Sequence, residues 1–366
     1  MKYLAVLGRL PKLSLAELEA LFTEVKPHGS LLATFESTAT PNINRLGGTQ
    51  KLGEQLPGGY NGILDYLSNL PEGKITLGVS DFRKNTRTFK AQGEALKLKK
   101  ILQRNGRSVR VLENKSAVLS TATSHHNQLA EKPNHVEIML TDFGNFKLTG
   151  VQNITNYAKR DQARPARDAR VGMLPPKLAQ ILINLCGPLK PGARILDPFC
   201  GTGVVLQEAY LMGYEPYGTD LEPHMVEYSK KNLDWLGCKN YELEEGDATS
   251  YEWSKIDAVA AEAFLGSPMS QPPAEIKLKQ EKLRCKEIIL GFLKNLATQT
   301  RESTPVVVAV PAWLRPGGTY SRLNLLDEVE KLGYNVKKFK NLSEQDLLYY
   351  REGQIVARDI IVLRKK

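Results

Sequence analysis

The stretch Ile195-Leu-Asp-Pro-Phe-Cys-Gly-Thr-Gly203 constrains this chain most: a short apolar strand ends on an acid and then turns on two glycines into a helix. Arg194 to Leu196 reads as the strand, and Val204 to Met212 as a helix that Gly213 stops. Such a loop belongs at the carboxyl edge of a parallel sheet, where open α/β sheets bind ligands. Gly201 and Gly203 remove side chains that would hold the backbone away from a ligand. A dinucleotide-binding turn reads G-x-G-x-x-G/A, but Leu206 occupies the last small position and Asp197 would repel a diphosphate. That charge suits a cationic sulfonium with an α-ammonium group, which points to S-adenosylmethionine.

Two further acids fall into register. Tyr217-Gly-Thr-Asp220 closes a second strand with an acid placed to hold both ribose hydroxyls, and Leu221 follows it. Asp247, in Glu244-Glu-Gly-Asp-Ala-Thr249 after a third strand, is spaced to accept from an adenine amine, with Ala248 beside it. Phe199 in the glycine loop completes the candidate cofactor set. One such acid alone is an ordinary strand-end or cap residue; three behind a glycine loop make a pattern.

At 366 residues the chain is long for one core, so two or three domains are expected. No apolar run approaches the roughly 18 residues of a membrane span, and Gly8, Arg9, Pro11 and Lys12 interrupt the apolar N-terminus too soon for a secretion signal. That segment reads instead as a strand leading to a helix, with Ser14 and Glu17 as a capping box and Leu13 and Leu18 as a hydrophobic staple. Cys186, Cys200, Cys238 and Cys285 show neither a disulfide framework nor metal spacing, which fits a reducing cytoplasm. His125-His126 has no third ligand near in sequence, so no metal is expected. Methyl transfer from a sulfonium needs no nucleophile, so Cys200 is assigned to packing.

The net charge of +10 is unevenly spread. Residues 83–115 hold eleven Lys and Arg against Glu94 and Glu113, a balance of +9. Residues 215–262 hold twelve acids against four lysines, a balance of −8. One part is built for a polyanion and the other for a cation, although a basic run is also the usual composition of a solvated helix face. Lys97, Lys100, Arg104 and Arg107 are the candidate RNA contacts in the basic segment. Arg164, Arg167 and Arg170, in the repeating polar stretch Lys159–Arg170, either grip phosphates or pair with neighbouring acids.

Along the chain, strands are expected at 3–8, 31–38 and about 45–55, with the capped helix at 15–24, and the Gly-rich Leu56–Tyr60 and Pro71–Gly73 turns mark joins. A small α/β unit follows from Lys74 to about Leu140, with a basic helix near Gly93 to Asn105. From Leu174 onward seven strands alternate with helices and end in an adjacent pair, giving a mainly parallel sheet with its last strand antiparallel. The expected organisation is therefore α/β: residues 1–65, 66–149, a linker at 150–173 and a Rossmann-like domain at 174–366.

Gly172-Met-Leu-Pro-Pro-Lys-Leu-Ala-Gln180, Leu196-Asp-Pro-Phe-Cys-Gly-Thr-Gly203, Gly218-Thr-Asp220 and the strand after Gly353-Gln-Ile-Val356 resemble the THUMP-containing methyltransferases that modify the exocyclic amine of guanosine in tRNA. The resemblance implies a class I S-adenosylmethionine-dependent sheet, and tRNA as partner. It also implies that 66–149 is a THUMP domain, through Ser108–Leu112 and Leu119–Ala122, and 1–65 the ferredoxin-like segment that precedes it.

This family carries D-P-P-Y or N-P-P-[YF] after the fourth strand, because an aromatic-conjugated amine is a poor nucleophile and must be held by acceptors while an aromatic ring stacks on the base. Here Glu262-Ala-Phe-Leu265 stands in that place. Glu262 keeps a carboxylate, Ala263 and Phe264 replace the fixed-φ prolines, and Phe264 is the candidate stacking residue in place of Leu265. Glu262 also reads as a plain strand-end cap and Phe264 as a core aromatic. Two alternatives stay open: a silent protein that binds cofactor and RNA, and a methyltransferase acting on DNA or a protein amine.

Overall fold

The computed structural model of the chain describes residues 1–84, 88–168 and 173–366, residues 88 and 89 by backbone alone. Arg87, Arg170 and Gly172 lie outside the described residues. Two compact units result. The first is Met1–Pro11, Phe22–Arg45 and Thr49–Asn156; the second is Lys12–Leu21, Leu46–Gly48 and Tyr157–Lys366.

In chain order the first elements are β1 (Lys2–Leu7), α1 (Pro11–Leu21), β2 (Thr23–His28), β3 (Leu32–Glu36), β4 (Thr49–Leu56), α2 (Gly59–Ser68), β5 (Ile75–Asp81) and α3 (Thr88–Arg104). They continue with β6 (Val109–Val111), α4 (Thr121–His126), β7 (His135–Thr141), β8 (Gly144–Val151) and α5 (Ile154–Gln162). The eight strands form one sheet in the order β2-β3-β1-β4-β8-β7-β5-β6. β5 runs parallel to β6 and β7, and the other pairs are antiparallel. The segments read separately as 1–65 and 66–149 share this sheet through the β4–β8 pairing.

Strand alternation sorts the core of this unit. Val136, Ile138 and Leu140 of β7 pack with Ile63, Leu67, Leu98 and Leu102, while Met139 between them packs with Phe146 and Leu148. On α3, Ala91, Ala95, Leu98 and Leu102 are buried at helical spacing, which turns Lys90, Lys97, Lys100 and Arg104 to solvent. Through this core runs one ionic network. Lys51 donates to Glu137 at 2.7 and 3.0 Å and to the Leu119 carbonyl at 2.8 Å. The hydroxyls of Ser80 and Ser124 complete the carboxylate at 2.5 and 2.6 Å.

The second unit adds α6 (Pro176–Leu185), β9 (Arg194–Asp197), α7 (Val204–Leu211), β10 (Glu215–Asp220), α8 (Pro223–Trp235), β11 (Glu242–Glu245), β12 (Ala258–Glu262) and α9 (Glu275–Ala297). β13 (Pro305–Leu314), β14 (Tyr320–Ser321), α10 (Leu326–Lys331), β15 (Tyr334–Val336), β16 (Leu348–Tyr349) and β17 (Val356–Lys365) follow. The strand order is β11-β10-β9-β12-β13-β17-β15, with β14 on β13 and β16 on β17. β9 to β13 are mutually parallel where they pair, and β17 runs antiparallel to β13 and β15. This is the mainly parallel seven-strand sheet with an antiparallel last strand expected from the sequence. The order reverses between β9 and β12, so a crevice opens at the carboxyl ends of the central strands. α9 closes the largest core, its Phe292 and Leu296 packing with Leu196, Val259, Val306 and Trp313.

Ser14 and Glu17 require a correction. α1 begins at Pro11, whose missing N–H and fixed φ suit a first turn, so both residues lie inside the helix rather than capping it. Ser14 donates to the Gly48 carbonyl at 2.6 Å. The Glu17 carboxylate accepts from the Gly47 and Gly48 amides at 2.8 and 2.9 Å and from Asn184 at 2.7 Å. Burial nonetheless pushes its carboxyl up to about 7 against those three donors. The stretch read as a linker also contains a helix, α5, whose Arg160 binds Glu208 of α7 at 2.6 Å. β2, α2 and β8 were not expected from the sequence. No helix among the described residues is long and apolar enough to cross a membrane.

Removing one partner of a buried ion pair strands the other. Lys51→Met is expected to destabilise the first unit by about 3–5 kcal/mol, seen as a lower urea midpoint for the transition of that unit.

Candidate functional site

The glycine loop is built by its ties to the second strand. The Cys200 amide donates to the Thr219 carbonyl at 3.0 Å and the Gly201 amide to Asp220 Oδ2 at 2.8 Å. Asp220 Oδ1 accepts from the Glu222 amide at 3.0 Å, so this carboxylate holds both the loop and the turn after β10. Gly203 caps α7 at φ +74°. A Cβ there would meet Ser229 of α8 at 2.8 Å from its Oγ and 3.2 Å from its Cα. This modifies the sequence reading: Gly203 admits a neighbouring helix, while Gly201, at φ +51° with nothing nearer than 3.9 Å, faces open space.

Asp197 ends β9 with its side chain buried, accepting from the Phe199 amide at 3.2 Å. Burial lifts its carboxyl well above the usual range, and Asp220 and Glu262 lift it further. Burial raises Asp220 as well, against the pull of its two backbone donors. Leu221, the next residue, is 61% exposed, an apolar surface left bare beside the acids. Phe199 packs edge-to-face on Phe292 with centroids 5.3 Å apart. Asp247 turns the chain after β11, its Oδ1 accepting from the Thr249 amide and hydroxyl at 2.8 Å each. The Ala248 carbonyl is held by Asn295 of α9 at 3.2 Å. The buried Asp197, the half-buried Asp220 and the exposed Asp247 leave acceptor capacity that fits a ligand bringing an ammonium, a sulfonium and ribose hydroxyls.

Glu262 ends β12 beside this set. Its Oε1 accepts from Arg358 Nε of β17 at 2.6 Å. Burial raises the Glu262 carboxyl and Arg358 pulls it down. Phe264 packs on the α9 core and carries the Arg284 guanidinium 4.8 Å from its ring centroid. Arg358 was not anticipated; an isolated arginine in an apolar strand, Val356-Ala-Arg-Asp-Ile, was the available signal. Cys200 is buried, with its thiol raised well above the ordinary value by burial and by Asp197 and Asp220, which suits packing and not nucleophilic work.

The candidate RNA residues divide. Lys100 and Arg104 are exposed on α3, and Lys97 is exposed with a 3.1 Å pair to Glu94. Arg107 is corrected: its guanidinium donates to the Leu70 and Pro71 carbonyls at 2.8 and 2.5 Å and so tethers a loop. Arg164 is corrected too, because its side chain is buried, with Asp161 at 3.9 Å and Met173 Sδ at 3.5 Å. Arg167 is exposed and reaches the Gln162 carbonyl at 3.2 Å. His125 contacts Thr155 at 3.2 Å, and no metal-holding cluster occurs among the described residues. A cleft of about 500 Å³ lined by Gly192, Gly213 and Glu215 opens at the amino ends of β9 and β10, away from the acids.

Residues 189–330 match the family model of a methyltransferase domain. The chain is 34% identical over 157 residues to the tRNA (guanine(10)-N2)-dimethyltransferase of Methanothermobacter thermautotrophicus, across 42% of this chain and 44% of that protein. It is 39% identical over 103 residues to the enzyme of that name from Pyrococcus abyssi, across 27% and 30%. In these matches the chain spans under half of each relative's length. TrmN from Thermus thermophilus is similar in structure over 100% of both chains, at 17% identity and a TM-score of 0.48. Over part of its length the chain is thus similar to tRNA (guanine(10)-N2)-dimethyltransferases, and its second unit carries a class I methyltransferase domain, whose cofactor is S-adenosylmethionine.

The two glycines of the loop are expected to differ when substituted. Gly203→Ala combines left-handed strain of roughly 1–3 kcal/mol with the contact to Ser229, whereas Gly201→Ala carries the strain alone. Thermal unfolding should show the larger loss for Gly203→Ala.

Proposed function

We propose that this chain transfers a methyl group from S-adenosylmethionine to the exocyclic amine of a guanosine in tRNA. The observation that carries the reading is the meeting of Asp197, Asp220 and Glu262 at the carboxyl edge of a methyltransferase sheet. When bound, the cofactor supplies an electrophilic methyl on a cationic sulfur. Asp197 would hold its ammonium, Asp220 the ribose hydroxyls and Asp247 Oδ2 the adenine amine, with Ala248, Phe199 and Leu221 around the ring and Gly201 giving close approach. Arg358 holds Glu262 Oε1, so Oε2 receives the N–H of the acceptor amine and turns its lone pair outward. Methyl transfer to that lone pair would leave a surplus proton on the nitrogen, which Glu262 Oε2 is placed to take.

The exposed Lys97, Lys100 and Arg104 of α3, within the THUMP-like 66–149 segment, form the tRNA contact, and Arg167 adds a phosphate contact. The hold of Arg358 on Glu262 and the lost prolines also favour a second reading, a silent protein that binds cofactor and RNA. Labelled cofactor incubated with total tRNA separates the two, and nucleoside mass spectrometry identifies the acceptor.

Three outcomes are expected. Asp220→Ala should weaken S-adenosylhomocysteine binding more than about tenfold, and unchanged calorimetric affinity contradicts the cofactor assignment. Glu262 must be ionised to accept, so kcat/KM should fall as pH drops through an apparent pKa above the ordinary 4.5; Glu262→Gln should erase that acid limb. Charge reversal at Lys97, Lys100 and Arg104 should weaken tRNA binding and flatten its salt dependence, and unaltered salt slopes would remove α3 as the RNA contact.

A further inference from the structure

The family's fourth-strand aromatic is Leu265 here, and Phe264 is already covered by Arg284. Another aromatic stands at the same edge of the sheet. β16 pairs antiparallel with β17, and in that register Tyr349 lies directly opposite Arg358. Residues directly opposite share a face of the sheet, with Cβ atoms about 4.5–5.5 Å apart. Arg358 is the residue that holds Glu262, at 2.6 Å. Tyr349 is therefore one side chain removed from the proposed acceptor carboxylate. Both Tyr349 and Arg358 line a cleft of about 370 Å³, together with Met173, Pro175, Arg351, Glu352 and Gln354. That volume falls within the roughly 300–1,000 Å³ of small-ligand sites. The lining joins two sequence segments that the cofactor acids leave unused, the one beginning Met173-Leu-Pro-Pro and the one containing Gln354.

We infer that Tyr349 supplies the aromatic face on which the acceptor base stacks, replacing from β16 the ring absent after β12; this rests on the guanosine-amine reading above. An extracted base is held by stacking on an aromatic face and by hydrogen bonds to its edge. Tyr349 provides the first and Glu262 the second, and Arg358 positions one relative to the other. Exposed Arg351 stands on the cleft for the adjoining phosphate.

The test uses the full chain with unmodified tRNA transcripts and labelled cofactor. Base–aromatic stacking is worth about 1–3 kcal/mol, so Tyr349→Leu, which keeps apolar bulk without a ring face, should lose roughly 5- to 150-fold in kcat/KM. Tyr349→Phe should recover most of that loss. S-adenosylhomocysteine affinity by calorimetry should stay unchanged in both, which reports an intact fold. Independently of turnover, Tyr349→p-azidophenylalanine should cross-link to tRNA on irradiation. A wild-type chain that binds S-adenosylhomocysteine but methylates no tRNA removes the acceptor reading and this inference with it. A wild-type chain that methylates tRNA beside an equally fast Tyr349→Leu variant, or a variant at 349 that yields no cross-link, removes this inference alone.

Discussion

Like charges gathered in a poorly solvated crevice are the constraint on which the second unit is arranged. Asp197, Asp220 and Glu262 each lose hydration, and the carboxyl of Asp197 is raised further by the other two. Backbone amides of Phe199, Gly201 and Glu222 and one guanidinium, Arg358, are what hold them there. Such an arrangement is costly in the absence of a cation and correspondingly selective for one. The loop geometry, the strand order and the position of β17 all serve to keep those carboxylates converging.

The parts legible in the sequence were those fixed by local chemistry. Strand-acid-glycine-helix at 195–203 has few backbone solutions, so the mainly parallel sheet and the positions of Asp197 and Asp220 at its strand ends could be read from the sequence. Ser14 and Glu17 show the opposite case. Their spacing is that of a cap, but Pro11 starts the helix earlier and the pair serves the Gly47-Gly48 loop. Spacing along a chain does not reveal which tertiary partner claims a polar group.

The same limit explains the arginines. Arg107 and Arg164 carry the charge expected of RNA contacts, yet carbonyls of a loop hold the first and burial encloses the second. Arg358 was overlooked because its partner lies 96 positions away in sequence, joined only by the order β12-β13-β17. β2, α2 and β8 escaped notice for a related reason: their stability comes from pairing and packing across the first sheet more than from intrinsic preference.

The placement of β17 has a consequence for biosynthesis. It lies between β13 and β15, so the interior of the sheet is complete only after residues 356–365 emerge from the ribosome. Arg358 arrives with it. Until β17 docks, Glu262 lacks the guanidinium that holds its Oε1 at 2.6 Å in the folded chain. The geometry of the crevice is thereby tied to the docking of β17, which brings the cation that orients the carboxylate at its centre.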